Sequence, residues 1–156
     1  MFFFAIVFTL VVGWQAVWAR INMPDPLQGR REFNVSSLRM IRERPWVGFG
    51  LGTWPYTYPA HAVVSLHGYV NAAHNDWAQW AAEGGLGFGC LMLGIFVWSV
   101  LRTLRHPWAL GIPVVFIHCL VDFPLQIPAL ELWLFVMLGA LAAVHPSHSH
   151  ARVNSF

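Results

Sequence analysis

Residues 71–101, "NAAHNDWAQWAAEGGLGFGCLMLGIFVWSVL", begin with polar side chains and end as a long apolar run. A run of this length is typical of a helix that crosses a bilayer. It stops before Arg102 and Arg105, so the pattern predicts a membrane span over residues 80–101. Polar groups at the edge of a membrane are costly unless they face protein or water. The polar residues that precede the span therefore need a structural or functional reason.

The composition also favours a membrane protein. Of the 156 residues, 57% are hydrophobic and only 10% are charged, and the mean hydropathy is +0.54. Such values lie outside the usual range of soluble domains. Cys90 and Cys119 both lie in apolar runs, where a thiol behaves as a small hydrophobic group, so no disulfide framework is indicated.

Three other apolar runs predict further spans at residues 2–19, 108–121 and 129–144. The predicted fold is therefore all-α: one polytopic helical membrane domain with about four transmembrane helices. The short basic loop "RTLRHP" is the natural cytoplasmic one. Residues 20–78 then form one large extracytoplasmic loop, and residues 145–156 a cytoplasmic tail. Because the chain opens inside a hydrophobic helix, we expect it to be the C-terminal portion of a larger protein.

The basic residues are distributed unevenly. All nine are arginine, and six lie in the outer loop: Arg20, Arg30, Arg31, Arg39, Arg42 and Arg44. The planar guanidinium donates paired hydrogen bonds to phosphate and keeps its charge at working pH, so binding of an anion at the outer face is one explanation. Solvated surface charge is the other.

Two local patterns organise this loop. Val35, Leu38 and Ile41 recur every three residues before Pro45, which predicts a short amphipathic helix, laid on the membrane surface or packed on the spans. A glycine-rich stretch follows that does not have dinucleotide-fingerprint spacing, and it predicts a tight turn. Its aromatic residues are expected at the membrane interface: Trp46, Trp54, Tyr56 and Tyr58.

The polar start of the second span shows helical spacing. Asn71 or Asn75 can cap the helix, and Asn75, Gln79 and Glu83 then form one polar stripe at i, i+4 and i+8. His74 stands at the outer end of this stripe. Histidine can give or take a proton near neutral pH, so His74 is a candidate general base. The alternative is an interfacial histidine that only forms hydrogen bonds.

A second histidine is paired with a carboxylate. His118 and Asp122 lie at i and i+4, so their side chains can touch, either as a relay or as a structural hydrogen bond. No metal site is predicted, because the loop of residues 20–78 lacks an HExxH pattern and its histidines are too widely spaced to share one helix face. These histidines are His61, His67 and His74.

Three stretches together resemble a known family. They are "RREFNVSSLRMIRERPWVGFGLGTWPYTYP" (residues 30–59), "AHNDWAQWAAEGGLGFG" (73–89) and "HCLVDFPLQIPALELWLFVMLGAL" (118–141). The second is the most specific, because it looks like the His-Asn-(Asp/Glu/Ser) and Glu-x-Gly-x-x-Gly pattern of the O-antigen ligase and O-antigen polymerase family. Members are bacterial polytopic membrane glycosyltransferases of lipopolysaccharide and polysaccharide biosynthesis.

The resemblance implies a multi-pass protein of the bacterial inner (cytoplasmic) membrane with a periplasmic active face. The donor would be an undecaprenyl-diphosphate-linked glycan, and the acceptor a lipid A core, another glycan or a protein. His74 would act on the acceptor hydroxyl, and Arg30 or Arg31 would grip the donor diphosphate. The supporting residues would be Asn75, Gln79, Glu83, His118 and Asp122. No cofactor, metal or nucleic-acid partner is expected.

Full-length family members have many more spans and further arginines upstream, so the activity of this chain alone is left open. A different class of function also fits the same residues. In that alternative the chain is a noncatalytic membrane protein, a transporter fragment or an assembly subunit, whose arginine-rich loop binds anionic lipid. The identities of the sugar and of the acceptor are left open as well.

Overall fold

The computed structural model describes residues 27–63 and 69–144, with a few isolated positions between residues 4 and 22. The regular secondary structure of these ranges consists of helices, without a strand, so the prediction of an all-α fold is confirmed for them. Two short 3-10 turns precede the last two helices. The helices are α1 (Gln28–Glu43), α2 (Trp54–His61), α3 (Asp76–Thr103), α4 (Gly111–His118) and α5 (Pro128–Ala143), and the 3-10 turns are Pro107–Ala109 and Pro124–Gln126.

One helix of the described ranges, α3, is long and apolar enough to cross a membrane. The span predicted at 129–144 corresponds to α5, which has 16 residues. The span predicted at 108–121 is shorter than expected, because α4 ends at His118 and the chain then turns. The predicted span at residues 2–19 and the tail at 145–156 lie outside the described ranges, so four spans stay a prediction.

A kink at Gly85 divides α3. Its dihedral angles, φ 73° and ψ 179°, are not helical, and such a break would leave backbone groups of the helix without partners. The turn that follows α1 supplies hydrogen-bond partners for these groups. Three backbone hydrogen bonds join the two segments: Phe49 N–H to the Ala82 carbonyl (3.1 Å), Gly50 N–H to the Glu83 carbonyl (2.8 Å) and Leu86 N–H to the Pro45 carbonyl (2.7 Å).

The predicted amphipathic helix is present as α1, and it ends before Pro45 as expected. Its protein-facing side is not the predicted apolar stripe. The buried residues are Glu32, Phe33, Ser36, Ser37 and Met40, whereas Val35 and Leu38 are exposed. The small serines allow α2 to pack closely, and the Trp54 indole N–H donates to the Ser37 hydroxyl over 2.9 Å.

The aromatic residues of the loop separate into two groups. Trp46 and Tyr56 are exposed, but Trp54 and Tyr58 are buried beneath α1. The prediction that all four lie at the membrane interface is therefore wrong for the two buried ones. Their segment folds as the helix α2, which packs them inward. Burial, with a smaller contribution from the Glu32 carboxylate, raises the pKa of Tyr58 above its ordinary value.

A second core lies between α3, α4 and α5. Phe116 and Ile112 of α4 and Leu134 of α5 are fully buried there. At the far end of α3, the Arg102 guanidinium donates to the carbonyls of Leu141 (3.0 Å) and Val144 (2.6 Å). Because these carbonyls lie at the C-terminal end of α5, the arginine caps that helix and joins it to α3.

Candidate functional site

His74 lies two residues before α3 in a strained conformation. Its φ of 53° is positive, which is uncommon for a residue with a side chain. The next residue, Asn75, is the helix N-cap, and its side-chain oxygen accepts from the Ala78 N–H over 3.1 Å. On the other side, the Ala73 N–H donates to the Gln79 side-chain oxygen over 3.0 Å. These bonds hold His74 in its strained backbone conformation. Backbone strain of this kind is common at functional sites.

The His74 ring lies between two aromatic side chains. It stacks on Phe33 with centroids 5.8 Å apart, and it meets Phe123 edge to face at 4.6 Å. Its Nδ1 is 3.3 Å from Asp122 Oδ1. About a third of the side chain, 32%, is exposed. Among the described residues Nε2 has no hydrogen-bond partner, so this nitrogen is the one available to a substrate.

Asp122 lies between two histidines. Its Oδ1 faces His74 and also accepts from the Phe123 N–H over 3.0 Å. Its Oδ2 is 4.0 Å from His118 Nε2. That distance allows an ion pair but is too long for a hydrogen bond. The structure thus brings the predicted pair together and adds His74 to it, which the sequence spacing did not indicate.

Asp76 positions Asp122, a role that the sequence pattern did not indicate. Asp76 is fully buried, and its carboxylate accepts from the Leu125 N–H and from the Gln126 side-chain amide, each over 3.0 Å. Its own N–H donates to the Cys119 carbonyl over 2.9 Å. The connection between α4 and α5, which carries Asp122, is therefore tied to the start of α3. The sequence signal for Asp76 is an acidic side chain in the first turn of a helix.

Helix α1 approaches the site through two neighbouring residues. Phe33 stacks on His74, and the Asn34 side-chain oxygen accepts from the Asn75 side-chain amide over 3.0 Å. Arg30 precedes them by three and four residues, so it lies on the same side of the helix. Arg31 is turned about 100° from Arg30 around the helix axis and is exposed. Only Arg30 has a spacing of three or four residues to both Phe33 and Asn34, so of the two predicted arginines it is the closer in angular position to the residues that contact His74 and Asn75.

Gln79 and Glu83 face the protein interior. Their exposed fractions are 2% and 3%. Glu83 Oε1 accepts from the Trp54 N–H (2.9 Å) and the Gln79 side-chain amide (3.1 Å), and its Oε2 accepts from the Gly52 N–H (2.9 Å). The two residues therefore support the site indirectly. They fix the glycine-rich turn and the backbone next to His74.

Another histidine of the loop, His61, is engaged elsewhere. Its Nε2 is 2.9 Å from Glu43 Oε2, and its Nδ1 is 2.8 Å from the Thr57 carbonyl. His67 lies outside the described ranges. Over residues 27–63 and 69–144, no three His, Cys, Asp or Glu side chains are grouped so that they could hold a metal ion.

Comparison with protein-family models, curated proteins and solved structures finds no significant match to this chain. A function therefore has to be inferred from the residues and the geometry of the site itself.

Proposed function

We propose that the chain transfers a glycan from an undecaprenyl-diphosphate-linked donor to an acceptor hydroxyl at the periplasmic face of the bacterial inner membrane. The observation that carries this proposal is the arrangement around His74. The ring is held by Asp122, it lies on the same side of α1 as Arg30, and it stands at the outer end of the long apolar helix. The motif resemblance to O-antigen ligases and polymerases supports the same activity.

The outward surface of the last three helices supports the membrane setting. Large apolar side chains on these helices point away from the protein: Leu91, Leu101, Val114, Ile117, Leu132 and Val136 are all exposed. Soluble monomers rarely expose contiguous apolar surface on this scale, and lipid chains would cover it. We propose a multi-pass domain of four spans, with the Arg102 to Arg105 loop in the cytoplasm.

Glycan transfer requires a hydroxyl oxygen to bond to the anomeric carbon of the donor while the bond from that carbon to the diphosphate oxygen breaks. In the proposed mechanism His74 Nε2 takes the hydroxyl proton. Asp122, on Nδ1, holds the ring in place and stabilises the imidazolium that forms. General base catalysis of this kind contributes about 10²- to 10⁴-fold in rate.

The leaving diphosphate gains negative charge as the bond breaks. An arginine fork suits this group, because it donates paired hydrogen bonds and remains charged. Arg30 is proposed for this role, because it shares a side of α1 with the residues that contact His74 and Asn75. In this scheme the proton and the charge are both handled by side chains, with no cofactor. The acceptor is a lipid A core, another glycan or a protein.

The test is complementation of a strain that lacks the gene. We expect the parent chain to restore surface polysaccharide, and His74→Gln, Asp122→Asn and Arg30→Gln to fail while the membrane level of protein is unchanged. The matched control is His61→Gln, since His61 also pairs with a carboxylate in the same loop. We expect this control to behave as the parent. With reconstituted protein, His74→Gln should lower the transfer rate about 10²- to 10⁴-fold.

If His74→Gln and Arg30→Gln both restored normal polysaccharide, the catalytic proposal would be wrong, and the noncatalytic membrane protein would replace it. The glycan that accumulates in the deletion strain identifies the acceptor class. Long, unattached lipid-linked chains indicate a ligase, whereas single capped repeat units indicate a polymerase.

A further inference from the structure

Helix α1 carries arginines on more than one side. Arg30 lies on the side that approaches His74. The side of α1 that faces away from its buried residues is exposed and mixes apolar with basic side chains, at spacings of three and four residues that place them next to one another. These exposed residues are Val35, Leu38, Arg39 and Arg42.

The turn after α1 adds an exposed apolar apex. Trp46 and Val47 are 78% and 77% exposed. The backbone of this turn is hydrogen-bonded to α3 at residues 82–86, which is where the apolar stretch of α3 begins. The apex is therefore fixed beside the point at which α3 enters the membrane in the proposed topology.

We infer that the outward side of α1 and the apex of the turn form one surface that binds anionic phospholipid headgroups of the outer leaflet. This lipid-binding surface comprises Val35, Leu38, Arg39, Arg42, Trp46 and Val47. The apolar side chains enter the border of the acyl chains, and the arginines contact lipid phosphates, as in interfacial amphipathic helices. The inference shares only the membrane setting with the proposed function.

Among the described residues no carboxylate forms an ion pair with Arg39 or Arg42. Glu43 is paired with His61 at 2.9 Å, and Glu32 is buried. Arg44, next to the turn, is held over the Phe49 ring at 4.7 Å. Because an arginine near an anionic membrane surface contributes about 1 kcal/mol of attraction, the surface explains how a basic loop is retained at the outer face.

The experiment uses the full chain reconstituted in vesicles, with a fluorophore attached by a charged maleimide to Leu38→Cys or Trp46→Cys. The parent chain, treated identically, reports labelling of native cysteines. The quenchers are lipids with a nitroxide near the top of the acyl chain and either a phosphatidylglycerol or a phosphatidylcholine headgroup. Tyr69→Cys, at an exposed position outside the surface, is the reference probe.

We expect lipid quenching of both surface probes to exceed that of the reference, and phosphatidylglycerol to quench the Leu38→Cys probe more than phosphatidylcholine. At low salt that preference should fall about five-fold for each arginine removed by Arg39→Gln or Arg42→Gln. Arg105→Gln, a charge removed at the far end of α3, should not change it.

Equal quenching of all three probes by aqueous iodide, with no response to lipid, would overturn the inference. A lipid response without headgroup preference would overturn the role of the arginines. The readout needs no glycan transfer, so a chain that fails the complementation test can still pass this one, and an active chain can fail it.

Discussion

Replacement of Glu83 by glutamine tests the hydrogen-bonded junction between the loop and α3. The carboxylate is 3% exposed and accepts from the N–H groups of Gly52 and Trp54 and from the Gln79 amide. A glutamine keeps one acceptor oxygen, which can still serve Trp54 and Gln79. Its amide nitrogen then meets the Gly52 N–H as donor against donor.

The expected loss follows from the cost of one buried donor without a partner, about 1–3 kcal/mol. We therefore expect Glu83→Gln to lower the free energy of unfolding by about 1–3 kcal/mol. Glu83→Ala removes the partner of all three donors, and we expect about 3–5 kcal/mol for it.

The assay is equilibrium unfolding of the purified chain in detergent, followed by circular dichroism. Glu43→Gln is the control, because the Glu43 side chain is 56% exposed and paired with His61. We expect that control to change stability by less than about 1 kcal/mol. If Glu83→Gln were as stable as the control, the carboxylate would not hold the turn, and the described junction between loop and helix would be refuted.

Two further substitutions probe the same region. Gly85→Ala should destabilise the chain by more than about 3 kcal/mol, because φ is positive at Gly85 and the added methyl would lie 2.3 Å from the Trp46 carbonyl oxygen. Gly94→Ala is the control: its added methyl would enter open space, so it should be near neutral in the same unfolding assay. Tyr58→Phe should leave stability unchanged or raise it by up to about 1 kcal/mol, since the buried hydroxyl has no hydrogen-bond partner within the described ranges; a clear loss in thermal unfolding would contradict this.

Local signals predicted the helices well. The spacing of Val35 and Leu38 with Pro45 placed α1 correctly, and Asn75 is the cap of α3, because helix termini depend on residues a few positions apart. The same spacing did not indicate which side of α1 is buried. That side is set by Trp54 and the serines it contacts, and Trp54 was expected at the membrane interface.

The candidate site was predictable only in part. His74 was expected from its neighbours, and the His118 and Asp122 pair from helical spacing. The contact between His74 and Asp122 joins residues 48 positions apart, and no local pattern encodes it. The kink at Gly85 was missed for a related reason. It is filled by backbone groups of the turn, and the spacing of the side chains does not reveal which backbone groups pair.

The interruption of α3 also bears on how the chain can be inserted during synthesis. The carbonyls of Ala82 and Glu83 accept from the N–H groups of Phe49 and Gly50, so they have these partners only when the turn after α1 is docked on α3. If α3 entered the bilayer before that turn had docked, those carbonyls would face lipid, where an unsatisfied backbone group costs several kcal/mol. In the proposed topology the kink therefore favours docking of the turn before α3 is fully inserted, independently of the charges on the loops.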